Sequence, residues 1–266
     1  MTDSASPSRA SICQANRAAI EDAAELIRKA RYAVVLTGAG ISTPSGIPDF
    51  RSEGTGLWSR EEPLTVASLS TFRTTPERFF DWFRPLAGQI LYASPNAAHQ
   101  AVAQLEESGY VRTVVTQNID ALHQKAGSKC VVETHGTIRT LTCTRCYQRF
   151  DSEPFFKNFI ENGSIPTCAA CSGVLKPDVI LFGEQLPHAA WVTAQRAARQ
   201  CDLMLVAGSS LEVLPVAGLP MQAIDHGAHL IVINNTPTYV NVRADIVIME
   251  DVASILPEIA KRVQHG

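Results

Sequence analysis

Short apolar runs, each closed by glycine or small polar residues, constrain the fold of this chain more than any other feature. Residues 32–36 end in Thr37-Gly38-Ala39-Gly40, and residues 111–115, apolar but for Arg112 and Thr113, run into Thr116-Gln117-Asn118. Residues 179–182 lead into Gly183-Glu184, residues 203–206 into Ala207-Gly208-Ser209-Ser210, and residues 230–233 into Asn234-Asn235, with residues 246–249 as a last candidate. A wholly apolar run bounded by breakers reads as a strand buried on both faces, where alternation would mean one wet face. Between these runs, residues 95–107, 189–198 and 216–226 have helical spacing. So do residues 18–30, with Ile20, Ala24, Leu26 and Ile27 on the apolar side.

Strands alternating with helices imply a parallel sheet covered on both faces. The expected fold class is therefore α/β, a Rossmann-like doubly wound parallel sheet. Ligands of such sheets bind beyond the carboxyl ends of the strands, and here those ends carry Gly, Asn, Gln and Ser. Two stretches break the alternation. Residues 52–94, with Phe72, Phe79, Phe80, Trp82 and Phe83, look helical without a central strand; their aromatics read as core before they read as a pocket wall. Residues 138–174 hold a cysteine cluster. The resulting division is a polar, disordered lead-in (1–16), a Rossmann-like domain (17–51, 95–137 and 175–266), a helical insertion (52–94) and a smaller zinc-binding module (138–174).

The zinc assignment comes from spacing. Cys143-x-x-Cys146 and Cys168-x-x-Cys171 are two matched pairs separated by 21 residues. Four thiolates on two such knuckles suit one tetrahedral Zn²⁺, closed and structural. The cluster alone would equally fit a zinc-ribbon binding module. The total of seven cysteines is odd, and the N-terminus lacks the apolar core of a secretory signal. Together these argue against a disulfide framework and for a reducing, cytoplasmic setting. A net charge of −3 without a Lys/Arg run leaves no footprint for nucleic acid or an anionic membrane surface. No apolar stretch approaches the roughly 18–20 residues of a membrane span.

Gly38-Ala39-Gly40-Ile41-Ser42-Thr43 resembles a dinucleotide loop, but Thr43 stands where a third glycine is usual. The acidic residue that a hydride-transferring dehydrogenase carries near the end of its second strand is not evident, which disfavours an oxidoreductase. Other motifs are more specific: Ser45-Gly46-Ile47-Pro48-Asp49-Phe50-Arg51, then Gln117-Asn118-Ile119-Asp120, then Glu133-Thr134-His135-Gly136.

GAGIS–SGIPDFR, TQNID–LH, ETHG, the two CxxC pairs, KPDVILFGE and AGSSLEVLP together resemble the sirtuin family of NAD-dependent protein deacylases, in its bacterial-type deacetylase branch. The resemblance runs in family order from about residue 31 to about residue 252. It implies that Gly38, Ala39, Gly40, Gly208, Ser209 and Ser210 hold the phosphates and adenosine side of NAD. Asn234 matches the adenine-ribose ligand, which accounts for the missing acidic residue, and Val252 an adenine contact. Ile47, Asp49, Phe50, Asn118, Ile119 and Asp120 match the nicotinamide pocket, with Phe50 a wall that excludes water, and Arg51 is a further cofactor-side residue that could equally form a surface ion pair with Asp49. Gln117 matches a contact to the nicotinamide ribose.

The implied reaction consumes NAD. Nicotinamide leaves, the acyl oxygen of an acyl-lysine attacks C1′, and a base then activates a ribose hydroxyl. His135 matches that base, because imidazole titrates near neutral pH, with Asn118 and Asp120 beside it as catalytic residues. The products are nicotinamide, free lysine and acyl-ADP-ribose. The remaining histidines, His99 and His123 included, read as structural. Val179, Phe182, Gly183 and Glu184 match the loop on which an acyl-lysine peptide adds as a strand. The succinyl-removing branch carries a Tyr-x-x-Arg pair; Phe83 and Leu86 stand at those positions, which points to an uncharged acyl group, acetyl first. Mono-ADP-ribosyl transfer from the same pocket is the competing activity, and a zinc-ribbon scaffold that senses NAD is the non-enzymatic one.

Overall fold

The computed structural model describes residues 9–49 and 63–266. Phe50, Arg51 and the first part of the helical insertion lie outside the described residues. The larger sheet consists of β1 (Ala33–Thr37), β2 (Val111–Thr116), β3 (Val131–Glu133), β7 (Leu203–Ala207), β8 (His229–Ile233) and β9 (Ile246–Ile248). All pair in parallel, in the order β3-β2-β1-β7-β8-β9. This is the doubly wound dinucleotide-binding order, whose topological switch point falls between β1 and β7. Every residue of β1 and β7 is buried, as their unbroken apolar runs require. On one face lie α1 (Arg9–Lys29), α5 (Ala97–Glu107) and α10 (Val252–His265); on the other lie α8 (His188–Gln200) and α9 (Leu219–Asp225). Among the described residues no helix is long and apolar enough to cross a membrane.

A second, three-stranded antiparallel sheet contains β4 (Gly136–Cys143), β5 (Arg149–Asp151) and β6 (Leu175–Val179), in the order β5-β4-β6. It carries α7 (Glu153–Asn162) and the cysteine knuckles. The helical insertion contributes α2 (Pro63–Val66), α3 (Leu69–Thr74) and α4 (Pro76–Tyr92), while α6 (Leu122–Lys125) follows β2. A third apolar core joins the insertion to the small sheet. Within it Phe79 stacks on Phe83 at 5.2 Å, and Phe80 meets Phe159 edge-on at 5.3 Å.

Three expectations are revised. Residues 179–182 are not a strand of the parallel sheet. Only Val179 is in a strand, β6, which runs antiparallel to β4. The apolar run is buried against the third core instead of between sheet and helix, and burial alone does not name the partner. Pro177 fits the same account, since β6 is an edge strand and needs no donor on its outer side. The small sheet reaches to Gly136 and Val179, beyond the 138–174 module boundaries. Helix α1 begins at Arg9, inside the stretch expected to be a disordered lead-in.

The loops after β1 and β7 touch at the switch point. The Gly40 N–H donates to the Gly208 carbonyl at 2.8 Å. A Cβ on Gly208, whose φ is +62°, would stand 2.4 Å from the Ile41 nitrogen. By contrast Gly227, with φ +87°, has open space around its Cα. Gly227→Ala should therefore cost only the left-handed penalty of about 1 kcal/mol, and Gly208→Ala about 3 kcal/mol because backbone must also shift. Urea unfolding of both variants checks the ranking.

Candidate active site

One cavity of about 1140 Å³ opens across the carboxyl ends of β1, β2, β7 and β8. Its nucleotide side is lined by Gly38, Ala39, Gly40, Gly208, Ser209 and Ser210, with Asn234 and Val252 farther along. Its inner part is lined by Asp49, Gln117, Asn118, Ile119 and His135, and its outer rim by Val179, Phe182, Gly183 and Glu184. The residues expected from sequence thus converge on one cavity, with two exceptions among those described. Ile47 is buried in the third core, and the Asp120 carboxylate sits behind the cavity wall.

The polar groups at the strand ends are committed in ways that leave defined atoms for a ligand. Asn118 donates both amide hydrogens, to the Gly38 carbonyl at 3.0 Å and to Ser42 Oγ at 3.1 Å. Only its carbonyl oxygen remains to meet a ligand donor. Ser209 Oγ accepts from Gln117 Nε2 at 2.8 Å and from the Leu211 N–H at 3.2 Å, which leaves its own hydrogen to give to a phosphate oxygen. Asn234 donates to the Thr236 carbonyl at 2.7 Å and keeps its oxygen for a sugar hydroxyl. These donors and acceptors, on a double-wound switch point, fit a dinucleotide. The glycines have a second duty besides approach to phosphate. Cβ atoms on Gly38 or Gly40 would meet the β7 loop at 2.9 Å, so the two phosphate-side loops hold each other.

His135 follows β3 and precedes β4. Its Nδ1 lies 3.1 Å from the Gln117 carbonyl, which can only accept, so Nδ1 carries the proton and Nε2 keeps a lone pair. Burial pushes its pKa below the ordinary imidazole value, and the Gln117 carbonyl partly opposes this. The imidazole is therefore neutral, and basic at Nε2, at pH 7. Behind the cavity lies a buried polar layer that includes Asp120, expected in the nicotinamide pocket, together with His99 and His123. Ser42 donates to Asp120 Oδ2 at 2.7 Å, and the Leu122 N–H donates to Oδ1 at 2.9 Å. Ala121, at φ +60°, folds the chain back to make that second bond possible. Burial raises the Asp120 pKa against these donors. His123 Nε2 meets Thr37 Oγ1 at 2.9 Å, and His99 caps α5 through Asn96. Burial holds His99 at about 4 and His123 at about 3, so both are neutral at pH 7.

Several lining residues were not among the predicted site residues. Phe79, Trp82, Phe83 and Leu86 of α4 face the cavity while forming the third core. Gln185, Leu186, His188 and Trp191, with residues 212–215, line the mouth. Phe83, Leu86 and residues 212–215 stood at family positions or within a motif, and the others are residue types common in cores and loops.

The four cysteine sulfurs lie within 4.8 Å of one another, with Cys143 and Cys171 at 3.4 Å and Cys146 and Cys168 at 3.7 Å. A tetrahedron of sulfurs about 2.3 Å from zinc has edges of about 3.8 Å. The two knuckles also share one shape: Tyr147 and Ser172, each just after a second cysteine, are both left-handed. Both donate their N–H to the carbonyl of the first cysteine. Backbone N–H groups of Cys146 and Arg145 lower the pKa of the Cys143 thiol, while the neighbouring Cys143 sulfur raises that of Cys146, so the clustered thiols share their protons. The donor set fits one structural zinc.

Fold and cavity define a Rossmann-type dinucleotide-binding protein with a zinc-held second module. Residues 38–215 match the Sir2 family. NAD-dependent protein deacylase 2 of Archaeoglobus fulgidus is 44% identical over 247 residues, covering 92% of this chain and 96% of that protein. NAD-dependent protein deacetylase 2 of Caldanaerobacter subterraneus subsp. tengcongensis is 44% identical over 237 residues, covering 89% and 93%. Among solved structures, Sir2Af2 bound to a myristoylated histone peptide superposes with a TM-score of 0.81 at 39% identity, covering 94% and 98%. The chain belongs to the Sir2 family.

The buried histidines set an acid limit on stability. Unfolded, each titrates near 6.5; folded, they stay neutral to about 4 and about 3. The unfolded state therefore binds more protons below pH 6.5, and stability falls as pH falls. Asp120, raised by burial, acts in the opposite sense, one carboxyl against three lowered imidazoles with His135 included. Urea midpoints should be flat above pH 7.5 and decline from pH 6.5 to 5; a midpoint constant over that range contradicts the assignment.

Proposed function

We propose that His135 is the general base of an NAD-consuming removal of acyl groups from protein lysines, the acyl group passing to ADP-ribose with release of nicotinamide. The observation that carries the reading is the Nδ1–H bond to the Gln117 carbonyl. It fixes the tautomer and leaves Nε2 in the cavity to take a proton from a ribose hydroxyl. Asn118 meets the nicotinamide end of NAD as an acceptor, and Gln117 aligns the ribose end. Asp120 works through Ser42, which holds Asn118. Ser209 and Ser210 take the phosphates, Asn234 the adenine ribose, and Val252 the adenine side. Zinc, when bound, supplies cross-links only, and no step of the reaction passes through the cysteines. A four-thiolate zinc site suits a cytoplasmic, reducing setting.

The acyl group is uncharged. Phe79, Phe83 and Leu86 face the cavity, and among its described lining residues there is no lysine or arginine to meet a second carboxylate. Acetyl is the first candidate and longer aliphatic acyls the next, consistent with the myristoylated peptide held by Sir2Af2.

An acetyl-lysine peptide incubated with NAD should yield acetyl-ADP-ribose, nicotinamide and free peptide in equal amounts by mass. Label carried from NAD to protein without acetyl-ADP-ribose would replace this reading with ADP-ribosyl transfer. Because the base must be neutral and its pKa is lowered, kcat/KM should fall toward acid pH with a limb centred below the ordinary imidazole value of about 6.5. A limb centred above pH 7 contradicts the base.

A further inference from the structure

Lys176 belongs to none of the sites described above, yet it reaches into the loop that lines the cavity rim. Its side chain is only 17% exposed and that of Glu184 only 19%. Lys176 Nζ lies 2.9 Å from Glu184 Oε2 and donates to the Val179 carbonyl at 2.8 Å. Glu184 Oε2 also accepts the Leu181 N–H at 2.8 Å, and the Glu184 N–H returns to the Leu181 carbonyl at 3.0 Å. The carboxylate is thus turned inward, toward the root of its own loop. Farther along, the Ile180 N–H donates to the His135 carbonyl at 2.9 Å. The Phe182 N–H and carbonyl are both taken, by Ala67 and Leu69, at 2.9 Å each.

We propose that Lys176 and Glu184 are positioning residues that hold residues 179–184 in the conformation an acyl-lysine peptide needs for strand pairing. The inference rests on reading that loop as the peptide strand. Both members are mostly withdrawn from water, so losing one leaves the other charge poorly solvated and releases the Leu181 N–H. A loop freed at its root must be re-ordered on binding, and that cost falls on the peptide backbone. An isolated acyl-lysine makes no strand contacts and escapes it. Glu184, grouped from sequence with the direct peptide contacts, acts instead through Lys176 and Leu181.

The test compares an acetyl-lysine peptide of about ten residues, long enough to pair as a strand, with the single-residue substrate Nα-acetyl-Nε-acetyl-lysine amide, at saturating NAD. In Lys176→Met the ratio of kcat/KM for peptide to that for the single residue should fall about tenfold, through KM, which is about 1.4 kcal/mol of coupling lost. Glu184→Gln should do the same, and the double variant should lose no more than either alone. Hydrogen exchange at the Leu181 amide should quicken in both variants, a readout that does not need activity. An unchanged ratio, or losses that add in the double variant, overturns the staple. A wild-type enzyme with no preference for the peptide would instead overturn the strand reading beneath it.

Discussion

The chain leaves its large domain at Gly136 and comes back at Val179, and the two crossings are packed backbone on backbone. Gly136, at φ +78°, faces Asp178 so closely that a Cβ there would stand 2.0 Å from the Asp178 carbonyl oxygen. The residue before it is His135, and Ile180, just past Val179, donates to the His135 carbonyl. One contact therefore sets the position of His135 and the start of the 180–184 loop together. The glycine is required because any side chain would push β4 from β6 and carry the base with them. Asp178 reinforces the junction from the other side, accepting from Thr140, Thr142 and Arg149 across all three strands of the small sheet. The zinc knuckles sit at the far end of β4 and β6 and close the same hairpin. Zinc is thus connected to the chemistry through strand geometry.

The nucleotide side depends on a different constraint. Two glycine loops interlock at the switch point, and behind them Thr37, Ser42, Thr116, Asp120, His99 and His123 form a buried polar layer. Polar groups so buried are stabilising only when they satisfy one another. They do so here with one exception, His123 Nδ1, which has no partner. Ser42 of the layer limits the orientation of Asn118, and Gln117, itself in the cavity wall, limits that of both Ser209 and His135. The cavity offers a ligand particular atoms because the remaining ones are already bonded.

Legibility in the sequence followed how local each signal was. The strands β1, β2, β7 and β8 announced themselves, being buried on both faces and closed by glycine or asparagine. The cysteine pairs announced zinc through spacing alone. By contrast β3 is only three half-buried residues and carries no pattern, and the apolar run at 179–182 named burial without naming its neighbour. Placement of His135 came from its motif, while its tautomer came from a carbonyl 18 residues away in sequence. Nothing in sequence separates Phe79 or Phe83 as cavity wall from the same residues as core, because they are both. Lys176 opens the motif KPDVILFGE without a role of its own in sequence, and its ion pair with Glu184 exists only because the intervening residues turn back on themselves.

The central claim is that His135 acts on a ribose hydroxyl after nicotinamide has left. The most direct measurement is a comparison, in His135→Ala, of acetyl-ADP-ribose formation with exchange of labelled nicotinamide into NAD in the presence of an acetyl-lysine peptide. Loss of a general base costs about 10²–10⁴-fold, and that loss should fall on product formation while exchange persists. Exchange lost in parallel with product would place His135 before nicotinamide departure and contradict the account, as would product formation that survives the substitution.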